Sequence, residues 1–72
     1  MNAEEQRIIA QEFNKINPPG SFVVWSNTSQ TYKVRCRALP HSCGQPVAWL
    51  HGYFGIVPVK ELSPAKDVYA DQ

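Results

Sequence analysis

The chain has 72 residues, a net charge of +1, and a composition that is 43% hydrophobic and 11% aromatic. These values are typical of one small globular domain and exclude a disordered chain, which has few aromatic residues and a large net charge. No apolar run approaches the roughly 20 residues that cross a bilayer, and residues 1–5 lack the basic and apolar regions of a signal peptide. We therefore expect a cytoplasmic protein with no membrane partner, in which a reducing compartment keeps both cysteines as thiols.

Residues 2–16 predict an amphipathic helix. Asn2 and Glu5 have the spacing of a capping box, in which each side chain bonds the backbone amide of the other residue. Residues 17–20, Asn-Pro-Pro-Gly, end the helix because neither proline has an amide to continue it. An apolar stripe at helical spacing predicts the buried side, and its members are Ile8, Ile9, Phe13 and Ile16.

Residues 21–38 predict two strands joined by a polar turn at residues 26–30. The second strand alternates, because side chains in a strand point to opposite faces in turn. The face expected in the core carries Tyr32, Val34, Cys36 and Ala38. The opposite face carries three cations, Lys33, Arg35 and Arg37.

Residues 46–59 organise the rest of the chain, since two apolar runs flank Gly52 and Gly55 there. Glycine lets a chain reverse between strands, so we predict a tight β-hairpin. Residues 60–64 predict a last short strand or helical turn, and residues 65–72 a frayed tail.

Four or five short strands in about 40 residues leave no room for crossover helices, which favours a small antiparallel barrel. The predicted fold class is therefore α+β, in a single domain over residues 1–72. An N-terminal amphipathic helix over 2–16 is expected to pack on an antiparallel β-barrel over 20–64.

Two resemblances follow from these residues. Residues 52–62, Gly-Tyr-Phe-Gly-Ile-Val-Pro-Val-Lys-Glu-Leu, resemble the end of a Src-homology-3-type barrel, which implies that the barrel is Src-homology-3-like. The wider pattern joins Phe13-Asn14, a Pro-Gly at 19–20, the basic strand ending in Ala38, Gln45-Pro46-Val47 and the glycine hairpin. It is similar to small phage- and prophage-encoded proteins of unassigned function, which implies an accessory or host-directed binding module.

This chain departs from that pattern at Cys36, where threonine or serine is usual, and over residues 39–43, which have no counterpart. The resemblance therefore implies no role for the cysteines and histidines.

The distribution of charge is the main functional indication. No Asp or Glu lies between Phe13 and Lys60, so the near-neutral total conceals a basic barrel. A surface of one sign attracts partners of the other. We expect Lys33, Arg35 and Arg37 to contact an anionic partner, either nucleic acid or an acidic host protein. The alternative is a solvated strand face whose charges protect a sheet edge.

Aromatic residues give a second indication. Trp25 or Tyr53 could stack on bases beside these cations. As an alternative, Trp25, Trp49 and Tyr53 could form an exposed groove that binds an extended peptide. Alternatively, Trp25, Trp49 and Phe54 fill the barrel. A structural role in a virion is a further alternative, and the oligomeric state stays open because a sheet edge or the Ile8 and Ile9 side of the helix could form a dimer.

Cys36, His41, Cys43 and His51 include the ligand types of a zinc site, but their spacing matches no recurring zinc pattern. A disulfide between Cys36 and Cys43 and two separate thiols both stay open. We expect no metal and no cofactor. We also expect no enzyme, because the segment with these thiols and imidazoles contains no carboxylate to orient a base.

Overall fold

The computed structural model describes residues 2–65, and in this range it contains one α-helix, a five-stranded antiparallel sheet and one 3₁₀ turn. The α+β prediction is confirmed. The predicted tail lies outside the described residues except for Ala65, which is buried. The elements in chain order are α1 (Ala3–Ile16), β1 (Phe22–Trp25), β2 (Gln30–Leu39), β3 (Val47–Leu50), β4 (Val57–Pro58), the 3₁₀ turn (Val59–Glu61) and β5 (Leu62–Pro64).

The predicted capping box is present at the start of α1. The Asn2 side chain accepts a hydrogen bond from the Glu5 amide at 2.8 Å, and the Glu5 carboxylate accepts one from the Asn2 amide at 3.3 Å. The helix ends at Ile16, where the Asn17 amide still donates to the Phe13 carbonyl. In the described part of the chain, no helix is long and apolar enough to cross a membrane.

The face that α1 buries is not the predicted isoleucine stripe. Ile8, Ile9 and Ile16 are 48%, 38% and 47% exposed, and only Phe13 of that stripe is buried. The helix instead buries Gln6, Ala10 and Phe13. The prediction was wrong because α1 also supplies polar side chains to unpaired backbone groups of β2 and the following loop, and this requirement sets its rotation.

The sheet has the strand order β4-β3-β2-β1-β5. The long strand β2 serves two ladders, because Gln30–Lys33 pairs with β1 and Val34–Leu39 pairs with β3. The end strands β4 and β5 are joined in sequence by the 3₁₀ turn, but no ladder between them is present in residues 2–65, so the sheet is open there.

Two irregularities in β2 change which side chains face outward. The β2 to β3 partners run Val34↔Leu50, Cys36↔Trp49 and Leu39↔Val47, so β2 has one residue more than β3 in each interval. Each extra residue is a β-bulge and shifts the alternation by one position. Residues 35–37 are consequently all exposed, whereas Val34 and Ala38 are both buried. The prediction that Cys36 faces the core was therefore wrong.

The core lies between α1 and the inner face of the sheet. Val34, Leu50 and Val57 are almost completely inaccessible to solvent, and they contact a larger apolar cluster to which α1 contributes Ala10 and Phe13. Burial of this apolar surface is the main stabilising contribution in so small a domain.

The predicted hairpin is present, but it is not tight. β3 and β4 pair only through Val47↔Pro58 and Ala48↔Val57, and residues 51–56 connect them. The chain turns at Gly52, whose φ of 88° favours glycine. Phe54, in the connecting loop, is fully exposed and so does not fill the core.

Candidate anion-binding groove

An open groove of about 310 Å³ lies on the outer face of β2 and β3. Trp49 is half-buried and stands directly opposite Cys36 in the ladder, which places the indole beside the bulged segment. Because the bulges expose residues 35–37 together, both arginines of this segment border the same groove. The lining residues are Arg35, Cys36, Arg37, Leu39 and Trp49.

The cations of this surface have no acidic partner in the described part of the chain. Among residues 2–65, no ion pair involves Lys33, Arg35 or Arg37. Lys33 lies apart from the groove, with its ammonium nitrogen 5.7 Å from the centre of the Phe22 ring across the β1 to β2 ladder. The predicted row of three cations is thus one lysine over an aromatic ring and two arginines at the groove.

A second groove of about 240 Å³ lies between α1 and the end of β2. It shares Arg37 and Leu39 with the first groove, so these two residues border both grooves. Arg7 of α1 adds a further cation at its far side. The other lining residues are Ala10, Gln11, Asn14, Ala38 and Pro40.

The Arg7 guanidinium is already partly neutralised. It forms an ion pair with Glu4 one turn earlier in the helix, with 2.7 Å between Arg7 Nη2 and Glu4 Oε2. This hydrogen bond and the charge of Arg7 lower the pKa of the Glu4 carboxyl, and Glu4 in turn raises the pKa of Arg7. Arg35 and Arg37 therefore carry more uncompensated charge than Arg7 does.

Three hydrogen bonds to side chains of α1 hold the end of β2 and the next loop in place. The Asn14 side chain bonds both backbone groups of Ala38, and the Gln6 side-chain oxygen accepts from the His41 amide at 2.8 Å. Ala38 is the neighbour of Arg37, so the helix holds the backbone from which that arginine extends.

The three predicted aromatic contact residues do not form one cluster. Trp25 is buried, its indole N–H donates to Glu61 at 2.9 Å, and its ring meets Tyr53 edge-on with centres 4.8 Å apart. Trp49 borders the arginine groove, whose lining contains neither Trp25 nor Tyr53.

The cysteine and histidine side chains considered as zinc ligands do not converge. In the described residues, no three His, Cys, Asp or Glu side chains lie close enough to hold a metal ion. Cys36 and Cys43 are exposed free thiols, and the Cys43 amide donates to the His41 imidazole at 3.0 Å.

Sequence reasoning selected Arg35, Arg37 and Trp49 but missed Leu39 and Asn14. Asparagine is a poor helix former that often bonds backbone groups, so Asn14 inside a predicted helix was a usable signal. The residue types in β2 give no comparable signal for the bulges.

No family model, curated protein or solved structure matches this chain.

Proposed function

We propose that this chain is a non-catalytic binding module that contacts an anionic partner through Arg35 and Arg37, with Lys33 on the same strand. The observation that supports it best is the pair of exposed arginines on one groove, with no acidic residue in the lining. The partner is a nucleic acid or an acidic host protein.

Arginine suits this role because its planar guanidinium donates two parallel hydrogen bonds to a phosphate or carboxylate. The side chains of Arg35 and Arg37 extend from positions on either side of Cys36, so one anionic chain can contact both guanidinium groups. Arg37 borders both grooves and is therefore the central cation of this surface.

The same groove offers little for catalysis. Its lining contains one thiol, Cys36, but neither an imidazole nor a carboxylate that could activate it. A binding role needs no activating imidazole or carboxylate, and it accounts for the arginines and the tryptophan that line the groove.

We also propose that the fold is a partly closed, Src-homology-3-like barrel. Three features support this: β2 belongs to two ladders, the strand order is β4-β3-β2-β1-β5, and a short 3₁₀ turn joins the two end strands. The backbone N–H of Val59 donates a hydrogen bond to the Pro46 carbonyl, and the backbone N–H of Ser26 donates one to the Glu61 carbonyl. These two hydrogen bonds connect the turn to both halves of the sheet. The resemblance to phage and prophage proteins stays a prediction.

Retention on immobilised heparin tests the binding role, because heparin presents dense negative charge without bases. We expect the wild-type protein to be retained at low salt and released as salt rises, since screening weakens exposed charge interactions. Arg35→Glu and Arg37→Glu should elute much earlier.

Lys15→Glu is the matched control, because it changes the net charge equally at an exposed helix position outside both grooves. It should elute close to the wild type. If all three variants lose retention equally, binding depends on net charge alone and not on the arginine groove. If the wild-type protein is not retained at all, the proposed function is wrong.

A further inference from the structure

We infer that the groove beside Trp49 receives an unstacked base, so that the partner is a single-stranded nucleic acid. This inference rests on the proposed function and narrows it to one class of partner.

Apolar and cationic side chains line the groove together. Trp49 is half-buried and fixed by its ladder position opposite Cys36, and Leu39 adds a side chain that is 43% exposed. Arg35 and Arg37 stand beside this apolar surface. Bases stack on aromatic rings and on guanidinium planes, while the guanidinium groups also neutralise the flanking phosphates.

An acidic protein surface would use only part of this arrangement. Carboxylates would pair with Arg35 and Arg37, but separate apolar side chains of the partner would be needed to cover the indole of Trp49 and the Leu39 side chain. A nucleotide carries both a flat apolar ring and an anion, so it matches the charged and the apolar surfaces together.

A duplex fits the groove poorly. Its bases are stacked inside the helix, and their edges are read by an element that projects into the major groove. Arg35, Arg37 and Trp49 instead border a concavity on a sheet face. An unpaired base can enter such a concavity, whereas a paired base cannot.

The second groove offers further cationic contacts for the phosphates. Arg37 borders both grooves and Arg7 borders the second, so phosphates on one side of the bound base can contact these two arginines. The Asn14 amide is engaged with Ala38 and is not needed for the ligand.

The test compares three fluorescein-labelled probes by anisotropy at low salt: oligo(dT) of about ten nucleotides, an abasic strand with the same number of phosphates, and a duplex of the same length. We expect the wild-type protein to bind oligo(dT) roughly tenfold more tightly than the abasic strand, because stacking adds to phosphate contact. It should also prefer oligo(dT) to the duplex.

Trp49→Leu should remove the preference for oligo(dT) and keep binding to the abasic strand and to heparin. Phe54→Leu is the matched control, since Phe54 is fully exposed outside the groove, and it should keep the preference. The NMR signal of the Trp25 indole N–H, which is bonded to Glu61, checks that each variant is folded.

Equal affinity for oligo(dT) and the abasic strand, or tighter binding of the duplex, would overturn the single-strand inference. If heparin retention still depends on Arg35 and Arg37 in that case, the proposed anion-binding function stands and only the base site fails. If the wild-type protein binds neither heparin nor any of the three probes, the proposed function and the single-strand inference both fail.

Discussion

The side chain of Asn14 makes hydrogen bonds to both backbone groups of Ala38. Asn14 Nδ2 donates to the Ala38 carbonyl at 3.0 Å, and Asn14 Oδ1 accepts from the Ala38 amide at 2.6 Å. β1 pairs with β2 only as far as Lys33, so an amide from the helix replaces a neighbouring strand at this point. The contact joins α1 to the segment of β2 that carries Arg37.

Asn14→Ala should destabilise the protein by about 2 kcal/mol, because two partly buried backbone groups lose their partners. For a domain of this size, we expect the melting temperature to fall by roughly 10 °C. Thermal unfolding followed by circular dichroism measures the effect. Gln11→Ala, at an exposed site on the same helix, should change stability by less than about 0.5 kcal/mol; a similar loss in both variants would contradict the role assigned to Asn14.

Cys36 should react with iodoacetamide in the native protein nearly as fast as in the denatured protein, because the bulges expose its side chain. Mass spectrometry of a Cys43→Ser variant isolates this thiol. An oligonucleotide in the groove should slow the reaction. Labelling of Cys36 only after denaturation would mean that the side chain faces the core and that β2 alternates regularly.

Gly55→Ala should destabilise the protein by about 1 kcal/mol, the usual contribution of an aromatic pair. A methyl group at this position would lie 2.9 Å from Cε2 of the Tyr53 ring, so the ring must shift and its edge-on contact with Trp25 changes. Denaturant unfolding measures the loss, and the near-ultraviolet circular dichroism should weaken. In a Tyr53→Leu background the same substitution should cost much less, and an unchanged cost would show that the strain lies in the backbone.

Glu4 should titrate below the usual range of a glutamate. Because the folded pKa of Glu4 is lowered, its ion pair with Arg7 stabilises α1 fully above the pKa of the unfolded glutamate. This contribution is lost as the pH falls from there through the folded pKa. NMR titration of the Glu4 carboxyl carbon measures the shift, and Arg7→Gln should restore the usual value. No change in that variant would assign the lowered pKa to another cause.

The local elements could be predicted from the sequence because their determinants are local. Asn2 and Glu5 mark the start of α1, the two prolines mark its end, and the β-branched runs on either side of Gly52 mark the hairpin. Each of these signals acts through backbone conformation or through hydrogen bonds between near neighbours. The sequence also identified Arg35 and Arg37 as members of an acid-free basic segment.

Tertiary structure alone decided which side chains share a surface. The isoleucine stripe predicted one rotation of α1, but the backbone groups of Ala38 and His41 needed partners, and Asn14 and Gln6 supply them. Regular alternation predicted Cys36 in the core, but β2 pairs with a β3 segment that has fewer residues, and the two bulges that result turn residues 35–37 outward. The bulges expose the β2 side of the groove, and the pairing of Cys36 with Trp49 places the indole of β3 beside it.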